Sequence, residues 1–274
     1  MRVLYILFIL KSIAMDAQTD FVATRIGAIA VQQKRVVSEK TPLIFLHGVY
    51  LDHHLWDAQV NEIKDRTIVT LDMPFHGSSR QVSTDWTLDD CAEMLIQVLD
   101  SLQISRVIAI GHSWGSMTII RAADKYPERF ESLFLCNMPF EAVGKAQKWL
   151  FGLRHSLLVF RKFYARQVAG SLFGRKSGKN PELVAQVERS MGVLSGREVK
   201  LTDRKVIIDA EDATALIRRL KTGVIAVKGR EDYVPGPPGI ETVIVDGGHV
   251  SPMEEPEKVT ELIRAWIDRL SFLE

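Results

Sequence analysis

The stretch from Arg106 to Ala123 constrains the fold more than any other part of the chain. Val107-Ile108-Ala109-Ile110 is a continuous apolar run, Gly111-His112-Ser113-Trp114-Gly115 follows at once, and Met117 to Ala123 then has helical character. A strand, a glycine-flanked serine and a helix in that order put the serine on a sharp turn, its hydroxyl projecting from the top of a parallel sheet. Glycine is needed on both sides because the turn strains the backbone and side chains there would collide with strand and helix.

Other apolar runs repeat the theme. Pro42-Leu43-Ile44-Phe45-Leu46 ends in His47-Gly48, and Thr67-Ile68-Val69-Thr70-Leu71 ends in Asp72 and a loop with Pro74 and Gly77. Leu133 to Cys136, Val224 to Val227 and Thr242 to Val245 complete the set, and Phe21 to Arg35 reads as an edge hairpin around Gly27. Unbroken apolar runs suit parallel strands covered on both faces. Helices fill the intervals. Thr87 with Asp90 forms a capping box ahead of Leu88, Cys91, Leu95, Val98, Leu99 and Leu102 at helical spacing. Pro256 suits the first position of a last helix, whose stripe of Val259, Leu262, Ile263, Trp266, Ile267 and Leu270 should pack on the sheet. The expected class is α/β, a mostly parallel, doubly wound sheet.

One segment breaks the rhythm. About ninety residues separate the strands at Leu133 and Val224, too many for a structureless loop in a compact domain. Trp149, Leu150, Leu153, Leu157, Leu158 and Val159 have helical spacing. Asn180-Pro181 starts another helix with Val184, Val187 and Met191 on one face. Val206-Ile207-Ile208 is the one short strand candidate. The segment reads as a helical insertion over the carboxyl edge of the sheet.

Bulk properties narrow the function. With 25% charged and 46% hydrophobic residues the chain is an ordinary folded protein, and a net charge of +1 offers no case for nucleic acid. Cys91 and Cys136 are expected to be free and buried. Arg2, the apolar run Val3 to Leu10 and Ser12-Ile13-Ala14 have the order of a short secretory signal, and the run is too short to span a bilayer. Met15, followed by a polar stretch, is the alternative start and the one adopted, with a cytoplasmic location. A secreted or periplasmic location follows if residues 1–14 act as a signal.

Five motifs in this order resemble the α/β-hydrolase superfamily, of the serine esterase and lactonase type with a helical cap. They are Leu46-His47-Gly48, Asp72 to Ser79, Gly111 to Gly115, Gly229-Arg230-Glu231-Asp232 and Gly247-Gly248-His249, each following an expected strand. The resemblance implies a hydrolase core over residues 15–140 and 209–274, and a helical cap over 141–208. Residues 1–14 are then an extension.

The resemblance also implies roles. Ser113 is the nucleophile, His249 the base that takes its proton, and Asp232 the acid that fixes the histidine's tautomer, in the chain order serine, acid, histidine. The family usually has one more residue between the acid and the next proline than Tyr233-Val234, which leaves Glu231 as the alternative acid. Asp246 is a poorer choice, only three residues from His249. The backbone N–H groups of Trp114 and Val49 would form the oxyanion hole. Tyr50, Trp114 and Trp149 are the candidate substrate contacts. His47 is expected to buttress the oxyanion loop and His76 to belong to a structural turn. His53 and His54, as sequence neighbours, should point apart, so no metal site is expected, and the chemistry calls for no cofactor.

The implied activity is hydrolysis of a small carboxylic ester or lactone through an acyl-enzyme. Carbon–carbon bond (dienone) hydrolysis and thioester hydrolysis use the same triad and stay open, as does a slow-turnover ligand sensor on the same fold. Serine at the turn argues against the haloalkane dehalogenases and epoxide hydrolases of the family, which use a carboxylate nucleophile. No integral membrane segment is expected, and the oligomeric state has no sequence signal. The cap carries Lys145, Lys148, Arg154, Arg161, Lys162, Arg166, Arg175, Lys176 and Lys179 with no acidic residue among them. These are either a solvated outer face or an attractor for anionic substrates or a membrane surface. The interleaved Trp149, Phe151, Phe160, Phe163, Tyr164 and Phe173 are expected mostly to pack cap on core.

Overall fold

The computed structural model describes residues 19–271, so the readings on residues 1–14 and Met15 lie outside the described residues. Eight strands form one sheet: β1 (Thr19–Thr24), β2 (Gly27–Lys34), β3 (Leu43–Leu46), β4 (Ile68–Leu71), β5 (Val107–His112), β6 (Phe130–Cys136), β7 (Gly223–Gly229) and β8 (Thr242–Val245). Their spatial order is β1-β2-β4-β3-β5-β6-β7-β8. The β1–β2 hairpin is antiparallel at one edge and β2 joins β4 antiparallel, whereas every other pairing is parallel. All residues of β3, β4 and β5 are buried, as their unbroken apolar runs require.

The core helices are α1 (Asp57–Glu62), α2 (Leu88–Ser101) and α3 (Trp114–Lys125), with α9 (Ser251–Glu254) and α10 (Pro256–Ser271) near the C-terminus. Between β6 and β7 lie α4 (Lys145–Ser156), α5 (Arg161–Leu172), α6 (Pro181–Gly192) and α7 (Gly196–Asp203), which supply the inserted helical cap, and then α8 (Thr214–Arg219), which packs on α3 of the core. The Thr87–Asp90 capping box opens α2. Pro256 opens α10, where Val259, Ile263 and Ile267 are buried and Leu262, Trp266 and Leu270 half-buried against the core. Among the described residues no helix is long and apolar enough to cross a membrane. Cys91 and Cys136 are both free and buried.

Chain order runs outward in both directions from β3, to β4 on one side and β5 on the other. The carboxyl ends of β3 and β5 therefore lie side by side at the point where the winding reverses, which is where open α/β sheets bind ligands.

Three expectations are corrected. Val206-Ile207-Ile208 is not a strand but part of a π-helical turn, Arg204–Ile208, that prolongs α7. Its β-branched residues yield to the helix they continue, with Val206 buried against the core. Second, most cap aromatics do not pack on the core. Tyr164 and Phe173 are buried, Phe151 is half-buried, and Trp149, Phe160 and Phe163 are exposed. Third, His53 and His54 do not point apart. Both sit on one 3-10 turn with ring centroids 4.1 Å apart, because His53 Nδ1 reaches Asp72 and His54 Nδ1 reaches Asp57.

Candidate active site

Ser113 stands between the end of β5 and the start of α3 with φ 50° and ψ −112°, a left-handed backbone conformation that costs a non-glycine residue about 1–3 kcal/mol. The flanking glycines make that turn possible. A Cβ on Gly111 would sit 2.5 Å from the Ser116 nitrogen, and one on Gly115 would sit 2.3 Å from the Leu46 carbonyl oxygen of β3. The serine turn is thereby pressed directly against the neighbouring strand, and Gly115 N–H donates to the His47 carbonyl at 3.1 Å.

His249 follows β8 and the double glycine, and Asp232 follows β7. The Ser113 hydroxyl donates to His249 Nε2 at 3.0 Å, and His249 Nδ1–H donates to Asp232 Oδ1 at 2.9 Å. All three residues are buried. The other candidate acids are engaged elsewhere: Glu231 accepts from the Arg175 backbone and side chain, and Asp246 pairs with Arg230.

Asp232 has a set of donors that the sequence did not reveal. Val234 N–H donates to Oδ1 at 3.0 Å and Asn137 Nδ2 donates to Oδ2 at 2.7 Å. Burial works against the charged carboxylate, but these donors and the histidine outweigh it and hold the carboxyl below its ordinary value. Asn137 lies just past β6 with φ 49°, its N–H bonded to Val227 of β7. It also donates to the Gly248 carbonyl at 3.1 Å and accepts from the Ser251 hydroxyl, so it ties the acid loop to the histidine loop. A second unforeseen residue, Glu254, accepts from the N–H groups of Gly248 (2.8 Å), Val250 (3.1 Å) and Gly174 (2.8 Å) and so fixes the backbone on both sides of His249. The only sequence signals were position: an asparagine ending a strand, and a glutamate five residues beyond the histidine.

Three further buried histidines frame the site and are held neutral. His47 Nδ1–H donates to the Gly48 carbonyl at 2.7 Å while Nε2 accepts from Met73 N–H at 2.9 Å. His76 Nδ1–H donates to the Pro74 carbonyl at 2.9 Å and Nε2 accepts from Tyr50 N–H at 3.0 Å. His112 Nε2–H donates to the His249 carbonyl at 2.7 Å. Burial pushes His47 down, and His76 and His112 down to about 3. His47 and His76 together brace the Gly48–Tyr50 loop, His47 through the Gly48 carbonyl and His76 through the Tyr50 N–H. Behind them Asp72 accepts from Ser78 N–H at 2.8 Å, and from His53 N–H and Nδ1–H, each at 2.9 Å. Burial opposes its charge, yet these donors and the nearby imidazoles lower it to about 2.

The remaining candidates divide. The Val49 and Trp114 N–H groups have no hydrogen-bond partner among the described residues. The Trp114 ring is fully buried and stacks on Trp86 at 5.4 Å and 15°, so only its backbone is left for the site. Tyr50 is buried, with φ 70°, and its hydroxyl donates to the buried Asp203 of α7. His155 Nε2 (2.8 Å) and the Tyr164 hydroxyl (3.5 Å) reach the same carboxylate. Trp149 is 71% exposed on α4, a helix with no buried residue, and the structure does not bring it to the Ser113–His249 pair. Tyr233 instead stacks on the His249 ring at 5.0 Å and 20°.

Residues 41–194 match the alpha/beta hydrolase fold family, and the chain belongs to that family. Among curated proteins it is similar to (E)-2-((N-methylformamido)methylene)succinate hydrolase of Acinetobacter baylyi, 27% identical over 111 residues, which are 40% of this chain and 42% of the relative. The chain spans less than half the length of the first curated relatives, between 26% and 42%. Among solved structures it resembles a thermophilic esterase from Thermogutta terrifontis, with a TM-score of 0.78 at 22% identity over 93% of this chain and 99% of that one. It also resembles the enol-lactonase from Burkholderia xenovorans, with a TM-score of 0.79 at 18% identity over 91% of this chain and 100% of that one. At these identities the structural likeness speaks for the fold.

Proposed function

We propose that the chain is a serine hydrolase of small carboxylic esters or lactones. The observation that carries this reading is the linear relay from Ser113 Oγ to His249 Nε2 (3.0 Å) and from His249 Nδ1 to Asp232 Oδ1 (2.9 Å). His249 with its proton on Nδ1 presents a free lone pair at Nε2. As the Ser113 oxygen attacks the substrate carbonyl carbon, its proton passes to Nε2, and Asp232 stabilises the imidazolium that forms. The carbonyl oxygen becomes an oxyanion that the Val49 and Trp114 N–H groups would receive, and loss of one such donor typically costs ~10²- to 10³-fold in turnover. Imidazolium then protonates the leaving alcohol, or the ring oxygen of a lactone. Water, deprotonated by His249, releases the acid and restores Ser113. None of these steps draws on a metal or an organic cofactor.

Ester and lactone are favoured as substrates because the similar structures include an esterase and an enol-lactonase. The test is turnover of short p-nitrophenyl esters and small lactones, with a thioester and a dienone beside them, together with labelling by an organophosphonate. Turnover and labelling that both vanish in Ser113→Ala support the proposal. Turnover that survives in Ser113→Ala overturns it, and one equivalent of product followed by arrest would instead favour a sensor.

A further inference from the structure

The outer face of the cap is built in an unusual way for a soluble surface. Trp149, Leu150 and Leu153 of α4 are 71%, 49% and 53% exposed, and Leu157, one turn on, is 36% exposed. At about 100° per residue these four positions fall within an arc of about 100°, a single apolar stripe. The opposite side of α4 carries the half-buried Phe151 and His155, and His155 reaches Asp203 inward. The stripe therefore faces solvent. Phe160 and Phe163, which are 66% and 51% exposed, follow it at the start of α5. A contiguous apolar surface of this kind marks an interaction site.

Its surroundings identify the partner. Residues 145–179 contain nine lysines and arginines and no aspartate or glutamate. Lys145, which borders the stripe on α4, and Lys162, next to Phe163 on α5, are exposed, and among the described residues they make no salt bridge. A second copy of the chain docking face to face would set these like charges against each other, because a two-fold interface repeats the same patch on both sides. An apolar stripe flanked by cations is what an anionic lipid surface complements, with the side chains inserted at the headgroup boundary and the cations among the phosphates. We propose that α4 and the start of α5 dock the protein onto anionic phospholipid bilayers.

The test is co-sedimentation of the full chain with phosphatidylglycerol–phosphatidylcholine vesicles and with pure phosphatidylcholine vesicles. Trp149 is the strongly exposed tryptophan among the described residues, so its emission should shift to the blue on the anionic vesicles only. Each basic residue near such a surface is worth about fivefold in partition, so Lys145→Glu with Lys162→Glu should lower binding roughly 30-fold or more. Leu150→Ser with Leu153→Ser should lower it at least about tenfold. Both variants should keep the wild-type melting temperature. Equal binding to the two vesicle types, or none, overturns the proposal. So does wild-type binding by both variants, which would place the contact elsewhere in the chain. Loss with the charge reversals alone reduces the face to a cationic patch and rejects insertion. Self-association of the wild type in sedimentation velocity, abolished by the leucine variants, would give the face to a second copy instead.

Discussion

Replacing Asp232 with asparagine removes one charge and creates a donor where the structure has room only for acceptors. Oδ1 accepts from His249 Nδ1–H and from Val234 N–H, and Oδ2 accepts from Asn137 Nδ2. If the new amide turns its oxygen to His249, its NH₂ meets the NH₂ of Asn137. If it turns its NH₂ to His249, that group also opposes Val234 N–H, and the imidazole must move its proton to Nε2, where it can no longer accept from Ser113. Either orientation leaves a buried donor unmet, at about 1–3 kcal/mol. The second orientation also inverts the tautomer, a change that in a serine protease triad lowers kcat by about 10⁴, or about 5.4 kcal/mol of transition-state stabilisation. The expected result is a fall in kcat of about 10³- to 10⁴-fold on a p-nitrophenyl ester with KM nearly unchanged, since the carboxylate touches the histidine and not the substrate. Glu231→Gln is the companion measurement. Glu231 is bonded to Arg175, so its loss should alter kcat less than about threefold. A drop below tenfold in Asp232→Asn, or a larger drop in Glu231→Gln, would refute the assignment of the acid.

Other outcomes follow from the same geometry. Gly115→Ala puts a methyl group 2.3 Å from a backbone carbonyl that cannot swing away, so melting should fall by several degrees, from about 1–3 kcal/mol of overpacking, and kcat by about 10² as the serine turn is displaced. Asp72 is lowered from 3.8 to about 2, so the stability it contributes is complete above pH 3.8 and is lost as pH falls through about 2. The difference is worth about 2 kcal/mol, and in Asp72→Asn the acid limb of the unfolding curve over that interval should flatten, as read by circular dichroism. Tyr50→Phe strips a donor from the buried Asp203 and should lower stability by about 1–3 kcal/mol in urea unfolding, with an unchanged m-value.

What was legible in the sequence follows from physics that acts locally. Residues 43–46 and 107–110 announce strands because burial on both faces leaves no polar position, and within 68–71 Thr70 alone is polar. Ser113 is legible because a turn this tight tolerates only glycine where Gly111 and Gly115 stand. Asn137 was not legible: its value to Asp232 exists only once β6 and β7 pair in register and the strand end adopts φ 49°. The apolar period of α4 could be read, but a period reports that a face exists and not what covers it. Val206 to Ile208 misled for a related reason, since three β-branched residues have strand propensity but here continue the helix that precedes them. The histidine pair at 53 and 54 was misjudged because each ring is turned by its own carboxylate, one of them nineteen residues away.

Two of the cap's contacts with the core touch the surroundings of Ser113 and His249. At the end of α5, the Leu172 carbonyl accepts from His249 N–H at 2.6 Å, and Gly174 N–H shares Glu254 with Gly248 and Val250. At the end of α7, Asp203 holds the Tyr50 hydroxyl, one residue from Val49. Between them α4 buries no residue and reaches the interior through His155 and that same Asp203. A displacement of α4 should therefore be felt at Asp203 and Tyr50, beside the Gly48–Tyr50 loop, whereas the backbone around His249 is held by hydrogen bonds that α4 does not share. Substitutions that displace His155 should accordingly act on the site through Asp203 and the Gly48–Tyr50 loop.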